Sequence, residues 1–371
     1  MRRGLFFRWL VGVVALGTVA VTDGLAGAGD DGVVAELAFA RQAAGQRVIY
    51  SYPGLVPPQG LLARIRAGEA AGVIFFGENV SSGTQIAGVV AQLRAAAAQS
   101  PVREPLLLMT DQEGGLIRRL PGEPALSHKD VGLAADPPAA ATGAGRGAGE
   151  NLAGVGMNVN LAPVLDVFHA PGDLMDGYER SFSSDPATVA TLGANYVRAQ
   201  QAEGVAATVK YFPGLGPANA SDNTDLRPVT LPVPLADLRT VHEAPYQASI
   251  SAGAKLVMAS WAVYPALDRA NPAGLSTVVI EQELRSRNGF TGVTITDALE
   301  AGALRDFGTT GDRAVLAADA GMDLILASAR DVGQGDQAAD ALATALADGT
   351  LDPVAFGDAL ARVSALRAGL S

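Results

Sequence analysis

Val205-Ala206-Ala207-Thr208-Val209-Lys210-Tyr211-Phe212-Pro213-Gly214-Leu215-Gly216 decides how the rest of the chain is read. The first five residues form a short apolar run of the kind a fully buried strand shows. A lysine stands where that strand should end, and Pro213, Gly214 and Gly216 then break the chain into a loop. A buried strand that carries a charge to its own C-terminal tip points to a site there. A lysine snorkelling from a strand end, with its head in water, would give the same pattern. Gly292-Val293-Thr294-Ile295-Thr296-Asp297 repeats the design with a carboxylate at the tip, as does Pro105-Leu106-Leu107-Leu108-Met109-Thr110-Asp111. Asp297 could also be a simple helix N-cap.

Working outward, strand-like runs fall at Arg47–Ser51, Val73–Phe76, Pro105–Asp111, Asn158–Ala162, Ala206–Tyr211, Lys255–Ser260, Gly292–Asp297 and Asp323–Ala327. Helical patterns at Leu61–Ala70, Gln85–Ala98, Thr188–Glu203, Leu235–Ala252 and Ile280–Arg287 lie between them. Short, uniformly apolar strands alternating with helices predict a parallel sheet closed into an α/β (β/α)8 TIM-type barrel of one domain. An open doubly wound sheet is the competing architecture, but no Gly-x-Gly-x-x-Gly turn follows the first strand. Val33 to Gln42 reads as a leading helix. Residues 337–349 and 354–369 read as extra C-terminal helices that complete the outer ring. Ala134–Gly149, rich in Ala, Gly and Pro, reads as a mobile tract.

The chain has 371 residues, no cysteine and a net charge of −11, from 27 basic and 38 acidic residues. That balance argues against nucleic acid as a partner. Arg2 and Arg3 precede the apolar run Trp9 to Val21, and Ala26-Gly27-Ala28 offers a cleavage site. Residues 1–28 therefore read as a secretory signal peptide, and 29–371 as the barrel domain. An uncleaved anchor competes with this, but about 13 apolar residues fall short of the roughly 20 that span a bilayer. Export without membrane attachment is expected. Losing Arg2, Arg3, Arg8 and Asp23 removes two net positive charges from −11 and leaves −13.

The same motifs carry a resemblance. Lys210 to Gly216 resembles the Lys-His-Phe-Pro-Gly-His-Gly signature of glycoside hydrolase family 3, and the chain is similar to that family's single-domain bacterial β-N-acetylglucosaminidases. Asp111-Gln112-Glu113-Gly114-Gly115 with Arg118-Arg119-Leu120 resembles their sugar-binding segment. Asn160 to Val167, followed by Glu179 to Pro186, resembles a third block, and Thr296-Asp297-Ala298-Leu299 the nucleophile block. The resemblance implies a retaining exo-glycosidase that removes terminal β-linked N-acetylglucosamine from wall or chitin-like saccharides. Asp297 would be its nucleophile, and Asp111, Arg119, Arg180, Lys210 and Tyr211 would contact the sugar. The arginines could instead form salt bridges to Asp111, Asp166 or Glu179. Glu113 and Asp166 read as structural carboxylates. No metal or cofactor is implied, and a monomer is expected.

The pattern breaks at the proton donor. Where these enzymes hold an Asp-Ser-His triplet, this chain reads Ser221-Asp222-Asn223-Thr224-Asp225, with no histidine from 170 to 241. Tyr211 and Leu215 replace the signature's histidines, and Ser260-Trp261 replaces a Ser-His pair. The tryptophan could form an apolar wall for a sugar face or an N-acetyl methyl. Three outcomes stand open: Asp225 or Asp222 is the acid/base, the enzyme lacks a strong acid, or the barrel only binds sugar. A β-glucosidase of the same family is a further alternative.

Overall fold

The computed structural model describes residues 39–370. The expected leader and residues 33–38 of the leading helix lie outside them; residues 39–45 are helical. Eight strands form where the apolar runs stand: β1 Val48–Tyr50, β2 Gly72–Phe75, β3 Leu107–Thr110, β4 Val159–Asn160, β5 Ala206–Phe212, β6 Leu256–Ala259, β7 Val293–Ile295 and β8 Ile325–Leu326. Every residue of them is buried, so no strand alternates between exposed and buried positions.

Neighbours in sequence are neighbours in the sheet, and all pairs are parallel. β8 returns to β1 with Val48 opposite Ile325. A parallel bridge between Ile295 and Leu324 joins β7 to β8, which closes the barrel. The expected (β/α)8 architecture is therefore the observed one. Chain direction alone then brings the C-terminal tips of all eight strands, with Asp111, Lys210 and Asp297 just at or beyond them, to one face.

Several elements differ from their sequence reading, each for a local reason. β4 is shorter than Asn158–Ala162 because Asn160 uses its side chain on the neighbouring strand's end. Its amide accepts from the Gln112 backbone at 2.9 Å and donates back at 3.0 Å. The helix expected over Leu235–Ala252 is interrupted by a π-turn at Leu238–His242 before Ala244–Ser251. Pro245, near the start of the last segment, has no N–H to continue the ladder. After β3 comes a hairpin, Gln112–Gly114 with Ile117–Arg118, that the strand-helix alternation does not announce. Gly114 (φ +114°) and Gly115 (φ +53°) make its turn, and a Cβ on Gly114 would lie 2.1 Å from the Leu126 carbonyl oxygen.

The tract expected to be mobile, Ala134–Gly149, is instead most of an ordered helix, Pro137–Gly154. Asp136 caps it through the Ala139 N–H, and Pro137 sits in its first turn, where a missing N–H is harmless. Its glycines serve close packing. A Cβ on Gly145 would fall 2.4 Å from the carbonyl oxygen of Tyr196, on the helix Pro186–Ala202. The C-terminal helices also divide their work. Val332–Ala347 joins the outer ring beside β1, but Pro353–Ala368 lies across the barrel's N-terminal end. From there Arg362 pairs with Asp323 at 2.8 Å, ahead of β8. Arg367 donates to the Glu104 and Pro105 carbonyls ahead of β3, and Phe356 stacks under Arg47 ahead of β1 at 4.3 Å. Among the described residues no helix is long and apolar enough to cross a membrane.

Two glycines of the helix Pro137–Gly154 make a paired test. Gly145→Ala should destabilise the protein by about 1–3 kcal/mol, because backbone must move to admit the methyl. Gly143→Ala, where a Cβ meets nothing within 4 Å, should be stabilising by up to about 1 kcal/mol through helix propensity. Denaturant titration of both variants reads the difference, and equal effects would contradict the packing described.

Candidate active site

At the C-terminal face the strand tips surround a cavity of about 460 Å³. Asp111, Arg119, Arg180, Lys210, Tyr211, Asp225 and Asp297 all line it. β5 delivers Lys210 with its ammonium fully withdrawn from water. There it meets Asp111 Oδ1 at 2.7 Å and Glu113 Oε1 at 2.8 Å. Arg180 forks onto the same glutamate, Nη2 to Oε1 at 2.7 Å and Nε to Oε2 at 2.9 Å. Arg180 Nη2 also donates to the Tyr211 hydroxyl at 2.7 Å. Burial opposes charge on Glu113, Arg180 and Lys210, yet the opposite charges outweigh it. Glu113 is held well below the usual carboxylate range by Arg180 and Lys210, and Lys210 is held above the usual ammonium range by Asp111 and Glu113.

Glu113 therefore orders two cations at once, and the arginine's partner is neither Asp111, Asp166 nor Glu179. Asp166 is buried under the loop after β5, where its Oδ1 accepts the Leu215 N–H at 2.6 Å. Burial pushes this carboxyl up to about 7 against that hydrogen bond. The hairpin presents Arg119, and buried Gln112 fixes it by accepting the backbone N–H groups of Arg119 and Leu120 at 3.0 and 2.9 Å. The Arg119 Nε is buried without a protein partner, so this guanidinium retains donor capacity at the cavity wall.

Asp297 stands just past β7, and its Oδ1 accepts the Ala298 N–H at 2.7 Å. Burial, and next the facing Asp225 carboxylate, push Asp297 up to about 7; the Ala298 N–H and Lys210 pull the other way. Asp225 belongs to the loop after β5. Two backbone bonds pin that loop to the turn after Asp297: Gly302 N–H to Asp225 O at 2.8 Å and Ala303 N–H to Thr224 O at 2.9 Å.

Two expectations need correcting. Asp222 is absent from the cavity wall; Arg227 at 3.0 Å and the Asn219 amide occupy its carboxylate, so it ties the loop to itself. Trp261 does not wall the cavity either. It is 1% exposed, behind the strand tips, with its indole N–H on the Ala298 carbonyl at 2.9 Å. Among the described residues no histidine lines the cavity. The sequence reading also missed the rim that Phe76, Glu300, Ser328 and Arg330 supply. Arg330 stacks over Phe76 at 4.2 Å, and Glu300 accepts from the Ser328 hydroxyl at 2.9 Å. Their common signal is position just past a barrel strand.

The sequence profile of the "Glycosyl hydrolase family 3 N terminal domain" matches residues 57–366. The chain belongs to glycosyl hydrolase family 3, a family of glycosidases. It is 44% identical over 330 residues to an "Uncharacterized secreted glycosyl hydrolase" of Arthroderma benhamiae, covering 88% of this chain and 93% of that one. It is 36% identical over 263 residues to a "Beta-hexosaminidase" of Xanthomonas oryzae, 69% of this chain and 75% of the other. Among solved structures, a family 3 β-N-acetylglucosaminidase from Paenibacillus sp. superposes with a TM-score of 0.83 at 34% identity, covering 89% of this chain and 62% of that one. This chain thus spans under two thirds of that enzyme's length. A β-N-acetylhexosaminidase from Beutenbergia cavernae gives a TM-score of 0.80 at 33% identity, with 89% and 98% covered.

Glu113→Gln should cost about 3–5 kcal/mol, because it leaves Arg180 without a counter-charge and buried Lys210 with Asp111 alone. Glu113 titrates lower in the folded than in the unfolded state. Its contribution is therefore present above the unfolded carboxylate value of about 4.3 and is lost as pH falls below it. The wild type's stability should drop below about pH 4 with a steeper slope than that of Glu113→Gln, as urea unfolding across pH would show.

Proposed function

We propose that this glycosidase removes terminal β-linked N-acetylglucosamine by a retaining double displacement, with Asp297 as nucleophile and Asp225 as acid/base. The observation carrying this reading is that two carboxylates from different loops face one cavity and each other, beside the Asp111–Lys210 pair. The ionised Asp297 oxygen attacks the anomeric carbon and forms a glycosyl ester. The glycosidic C–O bond breaks, and Asp225 gives its proton to the departing oxygen. In the second half Asp225 takes a proton from water, whose oxygen displaces Asp297 and releases the sugar. Asp111 accepts from ring hydroxyls, while Lys210, Arg119 and Arg180 donate, with Tyr211 beside them. Desolvated contacts of this kind reject sugars that lack the hydroxyl. The names of the Xanthomonas, Paenibacillus and Beutenbergia relatives support the choice of sugar. Residues 1–28 as a leader, and cell-wall or chitin-like saccharides met outside the membrane as substrates, complete the reading. The name of the Arthroderma relative supports export.

Asp297→Ala should abolish release of an aryl N-acetyl-β-glucosaminide, and a fluorinated sugar that traps the intermediate should label Asp297. Label on another carboxylate would sink the assignment. A protein that binds N-acetylglucosamine yet turns over no faster than Asp297→Ala would be a sugar-binding barrel.

Only the ionised Asp297 attacks, so kcat/KM should fall as pH drops through about 7. Asp225→Asn removes the facing charge and should move the acidic limb to lower pH. It should also slow a disaccharide by roughly 10²–10⁴-fold, the usual contribution of acid catalysis, and an activated aryl glycoside far less. An unmoved limb with equal losses on both substrates would return Asp225 to a loop-holding role.

A further inference from the structure

The segment after β6 does not line that cavity, yet it grips the nucleophile's turn. Trp261 is packed so closely that a Cβ on Gly274 would lie 2.5 Å from its ring, and that glycine's N–H is held by the Ser260 carbonyl at 3.1 Å. The indole therefore has little freedom, and its one donor ends on the Ala298 carbonyl at 2.9 Å. The other side of that same peptide unit, the Leu299 N–H, donates to the Leu326 carbonyl on β8 at 3.2 Å. Ala298 in turn gives its own N–H to Asp297 at 2.7 Å. A rigid aromatic on one strand tip and a strand carbonyl from another thus clamp the peptide next to the catalytic carboxylate.

We infer that Trp261 is a positioning residue for Asp297, acting through the Ala298–Leu299 peptide. A buried indole N–H needs some acceptor, and any carbonyl would satisfy it. This one is a residue away from the carboxylate, on a turn whose next residues also hold the Asp225 loop. Without the indole donor the Ala298 carbonyl keeps only the Ala301 N–H of its own turn at 3.2 Å, so the turn loses its tie to the segment after β6 and the N–H that aims Asp297 is held less firmly. The inference rests on Asp297 being the nucleophile.

The test removes only the donor. The full chain contains two tryptophans, Trp9 and Trp261, so biosynthetic replacement of tryptophan by benzothienylalanine exchanges the N–H for sulfur at the packed site with almost no change of shape. Trp261→Phe is the genetic counterpart. With an activated aryl N-acetyl-β-glucosaminide, kcat should fall about tenfold, the value of one hydrogen bond of roughly 1.4 kcal/mol, while KM changes less than twofold. The acidic limb should move to higher pH, because the groups facing Asp297 (Asp225, Lys210, Asp111 and Tyr211) are all kept and only its N–H donor is weakened. Tyr264→Phe is the control: it deletes an equally buried bond, hydroxyl to Gly214 carbonyl at 2.9 Å, from the same segment without touching the nucleophile's turn. Its limb should stay at the wild-type position.

Wild-type kcat and limb in the benzothienyl protein, or limbs that move alike in it and in Tyr264→Phe, overturn the inference. A rise in KM that matches the fall in kcat does so too, since it would show that Trp261 merely shapes the cavity. Failure of the underlying assignment looks different, because Asp297→Ala would then retain turnover.

Discussion

The site depends on one buried carboxylate, Glu113, shared between the ammonium of Lys210 and the guanidinium of Arg180. Three charges withdrawn from water are a poor source of stability, since desolvation offsets much of their attraction. What the arrangement provides is placement. Lys210 comes from β5, Arg180 from the long loop after β4, and Glu113 from the hairpin after β3, and none can shift without unpairing another. The outer charges, Asp111 and the free edge of Arg119, are left facing the cavity. A sugar hydroxyl entering there meets donors and acceptors already held at fixed positions, with little ordering left to do.

A second constraint governs the two carboxylates proposed to react. Asp297 and Asp225 sit on loops from different strands, and backbone bonds through Gly302 and Ala303 fasten one loop to the other. The main chain that carries the two carboxylates is thus held in place by hydrogen bonds between the loops. Burial, and next the charge of Asp225, hold Asp297 near the middle of the pH scale. Asp222 shows the other fate of a loop carboxylate: beside Arg227 it is spent on holding the loop.

The barrel was legible because each strand is a short apolar run whose tip carries a break or a charge, and eight such runs admit few architectures. Lys210, Asp111 and Asp297 were legible for the same reason. The helix at Pro137–Gly154 was not, because glycine is a breaker by composition, and only the neighbouring Tyr196 backbone reveals that Gly145 is needed to let two helices touch. Nor was the hairpin, whose Gln112 side chain stands in for a ladder of bonds. Trp261 misled because an aromatic past a strand tip suits a sugar platform equally well. The ring faces inward here, since Gly274 leaves it room there and Ala298 offers its carbonyl. Glu300 and Arg330 follow two different strands and carry no motif, so only their meeting in space marks them.

The helix Pro353–Ala368 gives the fold a direction in time. Asp323, fully buried at the closed end of the barrel, has Arg285 beside it and a second cation, Arg362, that arrives only with this helix. Arg47, among the first barrel residues to be synthesised, reaches the Asp323 carbonyl and finds its stacking partner Phe356 some three hundred residues later. A nascent chain can pair its strands in order as they emerge, but the floor stays unsealed and its charges underpaired until Pro353–Ala368 swings across. The finished barrel is therefore fastened at the bottom by the helix Pro353–Ala368, on the face opposite the cavity. Changes in that helix should be felt as a protein that matures poorly, while the molecules that do complete it keep an unaltered site.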